Sequence, residues 1–202
     1  MPFKRRRRTL ACVMVLLAFT SLPADEPATP KAPRPGTHGI VAKLAQKKAP
    51  GKGNPHPWFT VTLTNRGKRR VTLVKPGDGS RQGWRTPLIG WSTRRPGDDQ
   101  KHLTKPVPWK GLRCGNINPV KNTEIVDLAP GKSLKFDTPM YRSTVDGAGT
   151  YRVVFLYQND PSRQIRGSPL GAHEPGAVAR MRRSTPCLVV SNEVTVKVAA
   201  SD

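Results

Sequence analysis

Trp84, Arg85 and Trp91 fall within one sixteen-residue stretch, PGDGSRQGWRTPLIGW, from Pro76 to Trp91. Tryptophan and arginine are the types most enriched at binding hot spots, and a guanidinium can stack on an indole face. Trp91, in the apolar run LIGW, reads as a core anchor. Trp84, between Gly83 and Arg85, reads equally as cover for a sheet edge or as a contact residue. The glycines of PGDGS permit tight turns. Their amides could cradle an anion and Asp78 could help hold a cation, but neither P-loop spacing nor the calcium-loop pattern is present. Turn chemistry is therefore the reading adopted for that segment.

A second group of binding candidates is basic. Arg180, Arg182 and Arg183 close the segment EPGAVARMRR, and the Pro- and charge-rich stretch from Arg94 to Asn122 carries Trp109 near its middle. Long connections in compact domains are usually functional or disordered. Cationic surfaces attract phosphates, acidic polysaccharides and other anionic polymers through long-range, salt-sensitive forces. The competing reading is a generally solvated basic surface, because the charges are spread along the chain. No RRM, zinc-finger or helix-turn-helix pattern appears, so no specific nucleic-acid partner is expected.

Catalytic patterns are missing. His38, His56, His102 and His173 show neither HExxH nor paired metal-ligand spacing, and there is no GxSxG. The acidic residues are scattered, so a paired-carboxylate site would have to be assembled by the fold alone. His173 and Glu174 are adjacent, and neighbours on an extended chain point apart. The expectation is a non-enzymatic protein without cofactor or metal, whose partner is a protein or an anionic envelope polymer.

These side chains must be positioned by a chain of 202 residues, enough for one well-sized core. It opens MPFKRRRR, continues with ten apolar residues from Leu10 to Phe19, and reaches Ala24 through TSLP. A basic start, a short apolar run and a small residue describe a secretory signal peptide over 1–24. About 20 apolar residues are needed to span a bilayer, so a membrane anchor fits less well. The whole chain carries +22. Without the signal, thirty basic and thirteen acidic residues remain, near +17. Removing it also removes Cys12 and leaves Cys114 and Cys187, which in an oxidising compartment are most simply one disulfide. Residues 25–37, with four prolines and no apolar period, form a flexible linker. Residues 38–202 form the domain, expected as a monomer in the periplasm, the cell envelope or outside the cell.

Within that domain the period is two. Phe59, Val61 and Leu63 alternate with Trp58, Thr60, Thr62 and Thr64, the pattern of a half-buried strand. Arg69 to Val74 follows NRGK and is expected to return as the second strand of a hairpin. Further strands are expected at Ile40–Ala45, Pro87–Thr93, Glu124–Leu128, Ser133–Phe136 and Ser191–Ala199, with a type II turn at APGK between the third and fourth segments of that order. The run TYRVVFLY from Thr150 is apolar on both faces and reads as a central strand. Only Glu174–Arg183 looks helical, with Pro175 in its first turn. Seven to eight short strands with long loops and one short helix argue for an all-β antiparallel sandwich.

Gly149, Thr150 and Tyr151, opening the long strand, resemble the tyrosine corner of immunoglobulin-like folds, where the phenol bonds back to the backbone. AGTYRVVFLYQND followed by SNEVTVKV is similar to the last strands of bacterial immunoglobulin-like domains, including those of intracellular proteinase inhibitor type. The set VTLVKPGDGSRQGWRTPLIGW, RCGNINP and STPCLVVSNEV resembles an uncharacterised family of exported bacterial proteins. That resemblance covers most of the chain after Arg70 and implies an immunoglobulin-like β-sandwich and export. It implies no activity. Proteinase inhibition is the alternative function it suggests, with a hydrolase behind that.

Overall fold

The computed structural model describes residues 38–49, 56–77, 88–98, 119–140, 144–165, 168–169 and 172–200. The expected signal peptide and linker, together with Trp84, Arg85, Trp109 and Cys114, lie outside them. The architecture is an all-β one built from antiparallel sheets, with one α-helix among the described residues.

The period-two segments become strands because alternation gives each of them one apolar face. In β1 (Ile40–Lys47), Ile40, Ala42 and Leu44 are buried between exposed neighbours. In β2 (Trp58–Asn65), Phe59, Val61 and Leu63 are fully buried. Together with β6 (Ser133–Pro139) these make one sheet, in the order β1-β2-β6, with Val61 opposite both Leu44 and Phe136. The second sheet centres on β7 (Gly149–Asn159), flanked on one side by β4 (Ile89–Arg94). Its other side pairs with β10 (Cys187–Val190) and then β11 (Val194–Val198).

Between β10 and β11, residues 191–193 face only residues 154 and 155 of β7, so the two strands are one strand interrupted by a bulge. At the bulge, Ser191 N–H donates to the Phe155 carbonyl and Ser191 Oγ accepts from Phe155 N–H, both at 2.9 Å. Asn192 is thereby aimed at β1, where its amide exchanges hydrogen bonds with the Leu44 N–H and carbonyl. The two sheets are thus joined at their edges as well as through their faces.

The faces meet at an aromatic seam. Phe59 lies 5.0 Å from Trp91, Trp91 is edge-on to Phe155 at 5.1 Å, and Phe136 stands 5.9 Å from Phe155. Such pairs each contribute about 0.5–1.5 kcal/mol beyond the area they bury. Trp91 is the core anchor its LIGW context implies. Strand β7 is central as expected: Tyr151, Val153, Phe155 and Tyr157 belong to the shared core, while Val154 and Leu156 on its opposite face are also buried.

The expected hairpin after β2 does not form. Strand β3 (Val71–Val74) pairs instead with β5 (Ile125–Leu128). Both edges of β2 are already taken by β1 and β6, so the chain has to leave that sheet. Lys75 N–H donates to the Glu124 carbonyl, which sets the ladder so that Thr72 and Val74 turn their backbone groups away from β5. Val74 is satisfied by one side chain. Tyr157 Oη donates to its carbonyl at 2.7 Å and accepts from its N–H at 3.1 Å.

The turn at APGK is type II, with Gly131 at φ +75° and Lys132 N–H donating to the Ala129 carbonyl. It links β5 to β6 across two different sheets. The helix α1 (Pro175–Arg182) begins at Pro175, where a missing N–H costs nothing, and buries Ala177 and Met181. Two further two-residue strands, β8 (Gln164–Ile165) and β9 (Ser168–Pro169), form a small ribbon before it. Cys187 is the buried first residue of β10, because CLVV is a continuous apolar run that pairs with β7. Among the described residues it is a free thiol. None of their helices is long and apolar enough to cross a membrane.

Candidate anion-binding cleft

Asn65, the last residue of β2, is fully buried, and its side chain shapes the turn that follows. Its Nδ2 donates to the carbonyls of Arg69 and Leu128 at 2.8 and 2.9 Å, and its Oδ1 accepts from Gly67 N–H at 2.9 Å. This is an Asx turn with every side-chain valence that it needs occupied. The turn presses on the start of β1. A Cβ on Gly39, which has φ +68°, would stand 2.7 Å from Gly67 Cα, so glycine is required there twice over. Arg66 N–H donates to the Gly39 carbonyl at 2.7 Å and closes the contact.

Facing this turn is the segment that leaves α1. Arg183 and Ser184 cap the helix by donating their N–H groups to the carbonyls of Arg180 and Met181, and Arg183 Nε reaches back to the Ala179 carbonyl. Asn159, buried at the end of β7, donates Nδ2 to Ser184 Oγ at 3.0 Å and to the Thr185 carbonyl at 2.7 Å. The two walls are stitched together where β3 lacks a strand partner. Thr185 N–H donates to the Thr72 carbonyl at 2.8 Å, and Thr72 N–H donates to Thr185 Oγ1 at 3.0 Å.

Between the walls lies a cleft of about 600 Å³, lined on one side by Gly67, Lys68, Arg69 and Arg70 and on the other by Arg183, Ser184, Thr185 and Pro186, with His38 at its rim. Among the described residues no carboxylate lines it. The side chains of Lys68, Arg69 and Arg70 are exposed and make no ion pair or hydrogen bond among the described residues, and Arg183 has no acidic partner there. Some cations elsewhere are matched: Lys47 with Asp137 at 2.6 Å, Arg94 with Glu193 at 2.7 Å and Arg180 with Asp127 at 3.1 Å. Four unmatched positive charges on a rigid concave surface repel one another, and a bound anion relieves that repulsion.

The binding candidates read from sequence separate here. Arg183 lines the cleft. Arg182 is exposed on the last turn of α1 but is not among the lining residues. Arg180 is committed to structure: its guanidinium bonds the Asn122 carbonyl and Oδ1, the Ile125 carbonyl and Asp127, which fastens α1 to β5. Lys68, Arg69 and Arg70 were missed. RGKRR places four cations in five residues, and that density was the available signal, but the segment reads first as turn chemistry.

Two buried groups, Cys187 and Tyr157, keep their protons at neutral pH. Burial pushes the Cys187 thiol up to about 12, although a hydrogen bond from the Asn159 backbone opposes this. Burial likewise holds the Tyr157 phenol well above its ordinary value. On the far sheet, hydrogen bonds from Lys47 and Thr60 keep Asp137 below the usual carboxylate range. Among the described residues no group of three or more His, Cys, Asp or Glu side chains is placed to hold a metal ion. No protein-family model and no curated protein matches the chain.

Proposed function

We propose that this is an exported, non-enzymatic binding module with an immunoglobulin-like sandwich fold, and that it takes an anionic envelope polymer in the basic cleft. The observation that carries the reading is the convergence of Lys68, Arg69, Arg70 and Arg183, all without acidic partners among the described residues, on one surface. Rigidity matters because ordering long side chains and loops on binding costs affinity, and here the backbone of both walls is already fixed. The fold assignment is supported by Tyr151, whose hydroxyl donates to the Asp146 carbonyl at 2.7 Å, the bond that defines a tyrosine corner. Export is supported by the basic and apolar pattern of residues 1–24 and by the positive charge that remains without them.

The test is capture by the chain from Asp25 to Asp202 from its own envelope and secreted fractions, washed through a salt series. Acidic polymer should be retained at low salt, elute steeply as salt rises, and not be retained by the Lys68→Glu/Arg70→Glu variant. A single protein held at high salt by both forms would contradict the polymer reading. Intact mass of the exported protein checks two further points, cleavage before Asp25 and a Cys114–Cys187 disulfide, which leaves the chain two hydrogens lighter.

A further inference from the structure

We infer that the cleft selects phosphate over carboxylate, and that its ligand is a segment of phosphate-bearing polymer; this rests on the reading of the cleft as an anion site. The argument turns on Ser184 and Thr185. Ser184 is 3% exposed, and its Oγ accepts from Asn159 Nδ2; Thr185 Oγ1 accepts from Thr72 N–H. A hydroxyl that accepts a hydrogen bond keeps its proton to donate. Neither proton has an acceptor among the described residues, and both residues line the cleft. Asn159 and Thr72 therefore hold two neutral donors on the wall that carries Arg183, facing the cations of the other.

That arrangement offers donors from both walls: Lys68, Arg69 and Arg70 on one, and Arg183 with the two hydroxyls on the other. A carboxylate has two oxygens in one plane. A phosphodiester has its unesterified oxygens on a tetrahedral centre and carries ester oxygens as further acceptors, so it can meet both walls and a hydroxyl together. Arginine recognises either group in bidentate fashion, so the cations alone do not discriminate. Discrimination comes from the hydroxyls. A volume of about 600 Å³ lies in the range of sites for drug-sized ligands, far more than one phosphate fills, which matches a segment with several repeating units.

The experiment measures binding of the chain from Asp25 to Asp202 to inorganic polyphosphate and to poly-L-glutamate of matched charge number at one low ionic strength. Polyphosphate should bind about tenfold more tightly, the equivalent of roughly one hydrogen bond to a charged group. Ser184→Ala, which leaves Asn159 its bond to the Thr185 carbonyl, should lower that preference and leave polyglutamate affinity unchanged. Thr185→Ser, which keeps the hydroxyl, should retain the preference. Equal binding of both polymers by the unaltered protein would overturn phosphate selectivity while leaving the anion-binding function standing. Binding of neither would overturn both. Should Ser184→Ala fail a thermal-melt check, the ratio for the unaltered protein decides alone.

Discussion

Replacing Asn65 with aspartate should destabilise the protein in a way that grows with pH. The change is nearly isosteric, so no cavity forms, but Nδ2 is lost and an oxygen is set against the carbonyls of Arg69 and Leu128, 2.8 and 2.9 Å from the former nitrogen. The site is fully buried. A protonated carboxyl can donate to only one of the two carbonyls, and leaving the other unmatched costs about 1–3 kcal/mol. Burial and the facing carbonyl oxygens raise the folded-state pKa of the new carboxyl above its unfolded value of about 3.9. Its protonated form is therefore the one that folding favours. The penalty is smallest below that unfolded value and grows as pH rises towards the folded pKa, by as much as about 4 kcal/mol at pH 7 if the group stays protonated there. Urea denaturation of both proteins at pH 4 and pH 7 reads this directly. A total loss at pH 7 of about 3–7 kcal/mol is a large share of a typical stability of roughly 5–15 kcal/mol. A loss below about 1 kcal/mol at pH 7, or one independent of pH, would refute the claim that Asn65 organises this turn.

Other perturbations test the packing. Tyr157→Phe leaves both Val74 backbone groups without their hydroxyl partner and should cost about 2–4 kcal/mol in chemical denaturation with an unchanged m-value; a cost under about 0.5 kcal/mol would mean those groups find other partners. In the reduced protein, Cys187 should resist a thiol reagent at neutral pH until denaturant is added, since burial holds it near 12. Its neutral form contributes stability that is fully present below the ordinary thiol value of 9 and is lost as pH rises from there towards about 12. Rapid labelling of the native, reduced protein would contradict that burial.

Features set by local chemistry were legible in the sequence. Alternation identified β1, β2 and β11, a run apolar on both faces identified β7, the dipeptide Pro130-Gly131 identified its turn, and Pro175 marked the start of α1. Pairing was less legible, because it depends on which edges are already occupied. The hairpin expected after β2 gave way to a β3–β5 pair, with Asn65 bonding to Leu128, 63 residues away. CLVV reads equally as a buried strand or an apolar connection, since a short continuous apolar run carries no period. The cleft was hidden for the same reason. Its walls are basic in sequence, but they meet through Thr72 and Thr185, 113 residues apart.

The most direct test of the cleft as the anion site compares two charge reversals of equal size. Lys68→Glu/Arg70→Glu alters the cleft, and Lys43→Glu/Lys197→Glu alters exposed strand positions outside it. Binding to polyphosphate is measured for both variants and the unaltered protein between 50 and 200 mM salt. With four cations engaged and a slope of roughly 0.7 per contact, the unaltered protein should lose about 50-fold in affinity over that range. The cleft variant should bind far more weakly at low salt with a shallower slope, while the strand variant should stay close to the unaltered protein. Equal losses in the two variants would show that only the overall charge matters, and would contradict a dedicated site.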